Sequence, residues 1–471
     1  MNNTFGELLA SKKFSMLDQE LFARFSGDYN PVHVNPLEAR RTIAGQCIVH
    51  GINSLLWAMD TLVHNKKITA VAFEAKFLNS VFLEENVDCF WSIESKKLSI
   101  VSGTSLLCTI RITEGSVLKV DEFNIPIEKP SRSPAPIHFS EASQLQKQPL
   151  IFHGDVNMAK QLYPTFCERY GVERACEIAM VSEIVGMQVP GLHSLFLAFS
   201  AEFRQGNGEH IFSIAKHDSR FETLSLAIDS ATFKGMAKVV FRPTIKSPLS
   251  MEQLSAFVKK DEFKNIKALI IGGSRGLGEV VAKLIACGGG HPVITYHSGA
   301  SDARRVCEAI HAYGASCDTM QYTVGAESTH IYGSTDINQF YYFATPKIFG
   351  KRSPDYDNQL LNLFTAVYVD GFGKICLQLQ QQTRFLSVMY PSSVAIDNPL
   401  PGLAEYIDAK LRGEEYCKVL NRHENTYVVW PRLPRIETDQ TLSLIKVPAS
   451  DPVDVLLPII RQMTAENNLH V

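Results

Sequence analysis

Apolar positions along the chain repeat one order: a long helix-length segment, then several strand-length runs. The segment IVHGINSLLWAMDTLV, residues 48–63, is apolar around most of its helical circumference. A surface helix would keep a broad polar face, so this spacing predicts a helix enclosed by other elements. VDCFWSI (87–93) and SLLCTIRI (105–112) follow, with the length and the β-branched or aromatic content of strands. The order then recurs. RACEIAMVSEIVGMQV (174–189) is a second apolar segment of helical length, trailed by SLFLAFSAEF (194–203) and MAKVVFRP (236–243). Each copy therefore predicts an antiparallel sheet wrapped around one buried helix.

Short strings mark the duplication. GDYN at 27–30 returns as GDVN at 154–157, and AFEAKF at 72–77 returns as AFSAEF at 198–203, at offsets of 127 and 126. At these offsets His33 corresponds to Lys160, and His50 and Gly51 to Cys176 and Glu177, so only the first copy is expected to keep a polar site. Proline-, serine- and charge-rich stretches at 125–149 and 242–263 read as linkers. They set expected boundaries at 1–125, 150–245 and 265–471.

The third block changes pattern. KALII (267–271) leads into glycines at 272, 276 and 278, then the amphipathic EVVAKLIACGG (279–289), then PVITYH (292–297). Strand, glycine loop, helix and strand make a βαβ unit. The glycines permit a tight turn and a close approach of phosphates to a helix N-terminus. An α/β Rossmann-type doubly wound parallel sheet is expected here.

Composition narrows the classes. The chain has 471 residues, 45% hydrophobic and 20% charged, with a net charge of −3. It has no broad basic excess to hold a nucleic-acid backbone. No apolar run reads as spanning a bilayer and no signal peptide is evident, so a cytoplasmic protein without a membrane or nucleic-acid partner is expected. The ten cysteines are scattered singly, without CxxC, which argues against zinc, and no metal site is expected. Cys47 reads as packing. The candidate chemistry begins at GDYNPVHVNP, 27–36. Asp28 and His33 are too polar for ordinary core, and Pro31 and Pro36 should forbid a regular helix and hold a shaped loop.

FSGDYNPVHVNP (25–36) followed by ARRTIAGQCIVHG (39–51) resembles the MaoC-like, (R)-specific enoyl-thioester hydratase family. The resemblance implies a hot-dog fold, an antiparallel sheet around a central helix. With the second, degenerate copy it implies an α+β double hot dog. It also implies that Asp28 and His33 are the catalytic pair and that the Gly51 N–H holds the thioester oxygen. His50 would position the helix start, and Asn30 and Pro31 would shape the loop. The chemistry agrees: a carboxylate and an imidazole converging on one water can exchange protons near neutral pH, and a helix-start N–H can hold an enolate-like oxygen. A serine that some members carry along the helix falls at Met59 here, with Ser54 one to two turns earlier.

In the third block, the GxxxGxG loop is joined by Ser393, Tyr406 and Lys410, within MYPSSVAIDNPLPGLAEYIDAKLRGEEYCKVL (389–420). This set resembles the short-chain dehydrogenase/reductase family. The resemblance implies Tyr406 as general acid/base and Ser393 as the holder of the substrate oxygen. Lys410 would lower the phenol pKa and bind the nicotinamide ribose. The cofactor contacts would be Gly272, Ser274, Arg275, Gly276, Leu277, Gly278 and Lys410. Arg275, and the lack of an acid directly after ITYH, favour NADP(H) over NAD(H). The chain departs from that family at Ile271, at QYTV (321–324) and at FATP (343–346), and Asn362 is off the expected spacing for a fourth catalytic member.

Together the resemblances imply a bifunctional 3-oxoacyl-thioester reductase and (R)-3-hydroxyacyl-thioester dehydratase/hydratase, acting on acyl-CoA or acyl-carrier-protein thioesters, as a homodimer. Two other readings stay open: a reductase of another carbonyl with the hot dogs as a binding or dimerising platform, and a non-catalytic acyl-carrier docking scaffold.

Overall fold

The computed structural model of the chain describes residues 5–116, 119, 125–205, 208–244, 248–325, 336–348, 355–438, 441–443 and 447–470. Residues 245–247 of the second predicted linker lie outside them. The chain divides into two compact units, one within Met1–Thr244 and the other drawn from Ile245–Leu442 and Lys446–Val471.

The first unit contains β1 (Glu7–Lys13), β2 (Ala70–Phe77), β3 (Asn86–Ser92), β4 (Lys97–Ser102), β5 (Ser105–Glu114), β6 (Gln148–Pro149), β7 (Ser194–Phe203), β8 (Ile211–Asp218), β9 (Thr223–Asp229) and β10 (Phe233–Phe241). They form one sheet in the order β1-β3-β4-β5-β2-β7-β10-β9-β8-β6. The join is made by the two repeated strings. AFEAKF lies in β2 and AFSAEF in β7, and they pair antiparallel from Ala72↔Glu202 to Lys76↔Ala198. Glu74 and Ser200, equivalent residues of the repeat, face each other at the centre. Outward from that join the two halves run in matching order, β5-β4-β3-β1 on one side and β10-β9-β8-β6 on the other. Residues 1–125 and 150–245 thus contribute to one continuous sheet.

Each half supplies one long buried helix. Gly51–Lys66 takes up residues 51–63 of the predicted segment and buries Ile52, Leu55, Leu56, Met59 and Leu62. Val172–Glu183 is continued by a π-turn, Ile184–Gln188, and both pieces are almost wholly buried. The second helix starts at Val172, so Glu177 lies in its second turn and not at the helix start that the linear offset suggested. Glu177 is buried and accepts from Ser230 Oγ (2.7 Å), Ala231 N (3.1 Å) and Thr232 N (2.9 Å), so it closes the β9–β10 turn. Second-half residues also pin the first helix: Tyr163 Oη donates to Asn53 Oδ1 at 2.7 Å, and Phe166 N to Asp60 Oδ1 at 2.7 Å.

The second unit contains β11 (Lys267–Ile271), β12 (His291–Tyr296), β13 (Asp318–Gln321), β14 (Gln339–Tyr342), β15 (Leu386–Met389) and β17 (Thr426–Val429), all parallel, in the order β13-β12-β11-β14-β15-β17. A short pair, β16 (Ser392–Ser393) with β18 (Arg432–Leu433), extends the C-terminal edge. Counted along the unit this is the 3-2-1-4-5-6 order of a doubly wound dinucleotide fold, whose order reverses between β11 and β14. The glycine loop leaves β11 at that switch point.

One expectation is corrected in this unit. The helix Asn358–Gln380 is long and apolar enough to cross a membrane by length and composition. Its residues Phe364, Tyr368, Phe372, Ile375 and Leu379 pack into the core beside β14 and β15, while Leu363 and Leu377 are exposed.

Candidate functional site

The stretch GDYNPVHVNP is more ordered than a shaped loop. The helix Met16–Ser26 ends at Gly27 in the left-handed region, φ +85°, which turns the chain sharply into Asp28. Pro31 and Pro36 each start a single turn, Pro31–Val34 and Pro36–Ala39, capped by the side chains of Asn30 and Asn35, and extended Asn35 between them keeps a regular helix from running through the segment. Proline suits the first helical position, where its missing N–H would have had no partner. Asn30 is wholly buried. Its Nδ2 donates to Gly186 O at 2.7 Å and Gly191 O at 3.0 Å, tying the loop to the second half.

The structure brings the expected pair together. Ligand-type atoms of Asp28, His33 and His50 all lie within 4.8 Å of one another, close enough for one small molecule to bridge them. The three could also hold a metal ion, although no metal was expected from the sequence. His33 Nδ1 is 2.8 Å from Ile48 O. A carbonyl requires a proton on that nitrogen, so neutral His33 keeps its lone pair on Nε2. The ring stacks on His50, centroids 3.8 Å apart. His50 is fixed between Gln19 Oε1, 2.9 Å from Nδ1, and Asp28 O, 3.1 Å from Nε2. Gly51 begins the central helix, and a Cβ there would lie 3.2 Å from the Phe77 ring. Its N–H has no partner among the described residues. Cys47 is buried, and burial pushes its thiol up to about 11, in keeping with packing.

Asp28 carries the residue that the sequence reading missed. Ser182 Oγ, on the second half's helix, donates to Asp28 Oδ2 at 2.7 Å, and Asn30 N donates to Oδ1 at 3.1 Å. Met59, where a serine was sought, is core, and the Ser54 hydroxyl is spent on Gly51 O at 2.8 Å. The hydroxyl that meets Asp28 comes from the other copy. Ser182 was visible as a polar residue inside an otherwise apolar segment, but nothing local said what it meets. Burial raises the Asp28 carboxyl to about 7, against the pull of Ser182 and Asn30 and with a further push from Glu183. Burial lowers His33 to about 4. Near neutral pH the pair is thus a carboxyl poised at its titration point beside a neutral imidazole.

The second unit assembles its own constellation. Gly272 (φ +78°) and Gly276 (φ +59°) hold left-handed backbone, and a Cβ on Gly278 would stand 2.4 Å from Gly272 O, so the loop closes only with glycine there. Thr295 fixes the loop from β12, its Oγ1 accepting from Gly272 N at 3.1 Å. Ser274, Arg275 and Leu277 complete the turn, with Arg275 at the cap of the helix Gly276–Cys287. Tyr406 and Lys410 lie one turn apart on the helix Ala404–Leu420, and Ser393 bonds to the Tyr406 phenol.

Lys410 departs from expectation. Its ammonium donates to Pro391 O at 2.7 Å and sits 3.9 Å over the Tyr368 ring and 4.8 Å over Tyr390. It does not draw the Tyr406 phenol down: burial raises that phenol, and burial lowers Lys410 to about 7. Asn362 is exposed and takes no part. The residue delivered to this cluster is Tyr368, from a π-turn in the helix, with its hydroxyl 2.5 Å from Thr345 of FATP. No pattern in the sequence announces a π-turn.

Residues 8–101 match the family model described as MaoC like domain. A search of the curated proteins finds no match. Similar solved structures include a short chain dehydrogenase from Salmonella enterica serovar Typhi (15% identity, 44% of this chain and 92% of that one, TM-score 0.39). A 3-oxoacyl (acyl-carrier-protein) reductase from Agrobacterium tumefaciens with NADP bound is another (16%, 38% and 73%, TM-score 0.34). A third is the FolM alternative dihydrofolate reductase 1 from Brucella suis in complex with NADP (13%, 37% and 73%, TM-score 0.33).

Proposed function

We propose that the chain is a bifunctional enzyme: an NADPH-dependent 3-oxoacyl-thioester reductase joined to an (R)-3-hydroxyacyl-thioester dehydratase/enoyl hydratase, with the first unit read as a double hot dog and the second as a short-chain reductase fold. The observation that carries the reading is the Asp28–His33 pair, in contact range and with opposite pKa displacements, in a region matching the MaoC like domain. In dehydration His33 Nε2 takes a proton from C2, Asp28 gives one to the C3 hydroxyl, water leaves, and the C2–C3 double bond forms. The Gly51 N–H holds the thioester oxygen as charge develops. A proton passing from His33 to Asp28 resets the pair.

In the second unit the glycine loop at a helix N-terminus fits a dinucleotide pyrophosphate: Gly278 lets the loop close on its own backbone, and the space beside Gly276 is open among the described residues. The cofactor, when bound, supplies hydride. Tyr406 supplies the proton to the carbonyl oxygen; burial keeps its phenol protonated, and Ser393 works against that rise. Arg275 favours NADP(H). The thiol carrier is CoA or an acyl carrier protein, and a cytoplasmic homodimer is the expected form. Incubation of the purified chain with NADPH and a short 3-oxoacyl thioester, followed by mass spectrometry, tests this. The 2-enoyl thioester is the expected product. A product stopping at 3-hydroxyacyl would refute the dehydratase assignment, and no reduction on either carrier would refute the reductase.

A further inference from the structure

The first unit buries a cation that meets no counter-charge among the described residues. Arg242, directly after β10, is 7% exposed. Its Nη2 donates to Leu192 O and its backbone N–H to His193 O. Its Nε has no partner, and no acidic side chain pairs with it among the described residues. Arg174, the other large buried guanidinium of this unit, has Glu177 and Glu173 to support its charge. A guanidinium taken out of water is costly unless an anion meets it.

The position of Arg242 is specific. The Leu192 carbonyl that it holds is also approached by Asn30 Nδ2, at 3.4 Å, so one carbonyl separates Arg242 from the loop bearing Asp28 and His33. Leu195, three residues on, packs against Val32 and Ile48, and the Ile48 carbonyl fixes His33. The charge of Arg242 also depresses protonation of His33.

We propose that Arg242 receives a carboxylate carried on the acyl chain, so that the Asp28–His33 site takes the thioester of a dicarboxylic acid. The proposal rests on the dehydratase reading above. The thioester oxygen does not need Arg242, because Gly51 serves it. A carrier phosphate lies a full pantetheine arm from the reacting carbons, whereas Arg242 lies beside the catalytic loop. A planar fork binding a carboxylate through two parallel hydrogen bonds is the arrangement guanidinium favours.

The test compares hydration of a 2-enedioyl-CoA with that of its mono-methyl ester, in the wild type and in Arg242→Met. The wild type should favour the diacid in kcat/KM by roughly 10- to 100-fold, the range of one charge-assisted hydrogen bond. Arg242→Met should erase that preference, bringing diacid and ester to the same kcat/KM, with any change transmitted through His33 shared by both substrates. Equal use of both substrates by the wild type overturns the proposal, as does a variant that loses both rates equally with its melting temperature unchanged. If Arg242→Met fails to fold, the wild-type preference decides alone. Calorimetry with the saturated diacid and ester thioesters separates the two readings. Tighter binding of the diacid without hydration sinks the dehydratase reading and keeps Arg242 as the carboxylate site. Equal binding sinks the proposal.

Discussion

At the scale of single residues, the first site is a problem in sharing protons. Dehydration needs an acid for the leaving hydroxyl and a base for C2, and burial, aided by Glu183 at Asp28 and by Arg242 at His33, moves the two toward those roles. The sign follows from the directions. Asp28 must hold a proton to act as acid, so dehydration should fall as pH rises through about 7. Asp28→Asn should reduce dehydration by about 10²- to 10⁴-fold, the usual value of a positioned acid. The neighbours should move the alkaline limb in opposite senses. Ser182 donates to the carboxylate and favours its charged form, so Ser182→Ala should shift the limb to higher pH. Glu183 repels that charge, so Glu183→Gln should shift it to lower pH. A pH profile of kcat/KM for each variant checks both, and a shared direction would show that Asp28 is not the titrating acid.

At the scale of elements, the π-turn Ile184–Gln188 lets the second half reach into the first half's chemistry. It brings Gly186 against Asp28, where a Cβ would stand 2.3 Å from Oδ1. Gly186→Ala should therefore displace a carboxyl already held by Ser182 and Asn30, costing about 10²-fold in dehydration, as small misplacements of a reacting group do. Circular dichroism should show the fold retained, and an unaffected rate would mean that Asp28 need not sit where it does. Glu177 makes the contrasting case. It closes the β9–β10 turn, so Glu177→Ala should lower stability by about 2–4 kcal/mol, read by urea unfolding, without touching the pH profile. These elements also mark what could be read in advance. The buried helix, the recurrence of AFEAKF as AFSAEF, and the glycine loop were legible because each is a pattern in the residues themselves with one physical meaning; that the two strings pair with each other was not. Ser182 on Asp28 spans 154 residues of chain, and the π-turn has no periodicity of its own, so neither could be read locally. The prolines act through position: each begins a single turn, while extended Asn35 between the turns keeps a regular helix from running through the segment, as expected.

At the scale of the whole molecule, two sites on one chain invite the question of whether their chemistry is separable. Each site draws its reacting groups from within its own unit: Asp28, His33 and Ser182 in one, Ser393, Tyr406 and Lys410 in the other. On the proposed function, substitutions should then stop the sequence at different products. Tyr406→Phe removes the proton donor and should leave the 3-oxoacyl thioester unreduced, while still dehydrating an added (R)-3-hydroxyacyl thioester. Asp28→Asn should consume NADPH at the wild-type rate and accumulate the 3-hydroxyacyl thioester. A mixture of the two variants should restore formation of the 2-enoyl thioester, because the 3-hydroxy intermediate made by one can be taken up by the other. Restoration should begin with a lag that shortens as enzyme concentration rises, since the intermediate must build up in solution. Time courses by mass spectrometry read the lag directly. If the mixture stays silent although each variant completes its own half-reaction, the intermediate does not exchange through solution, and the two sites serve one substrate molecule that never leaves the protein.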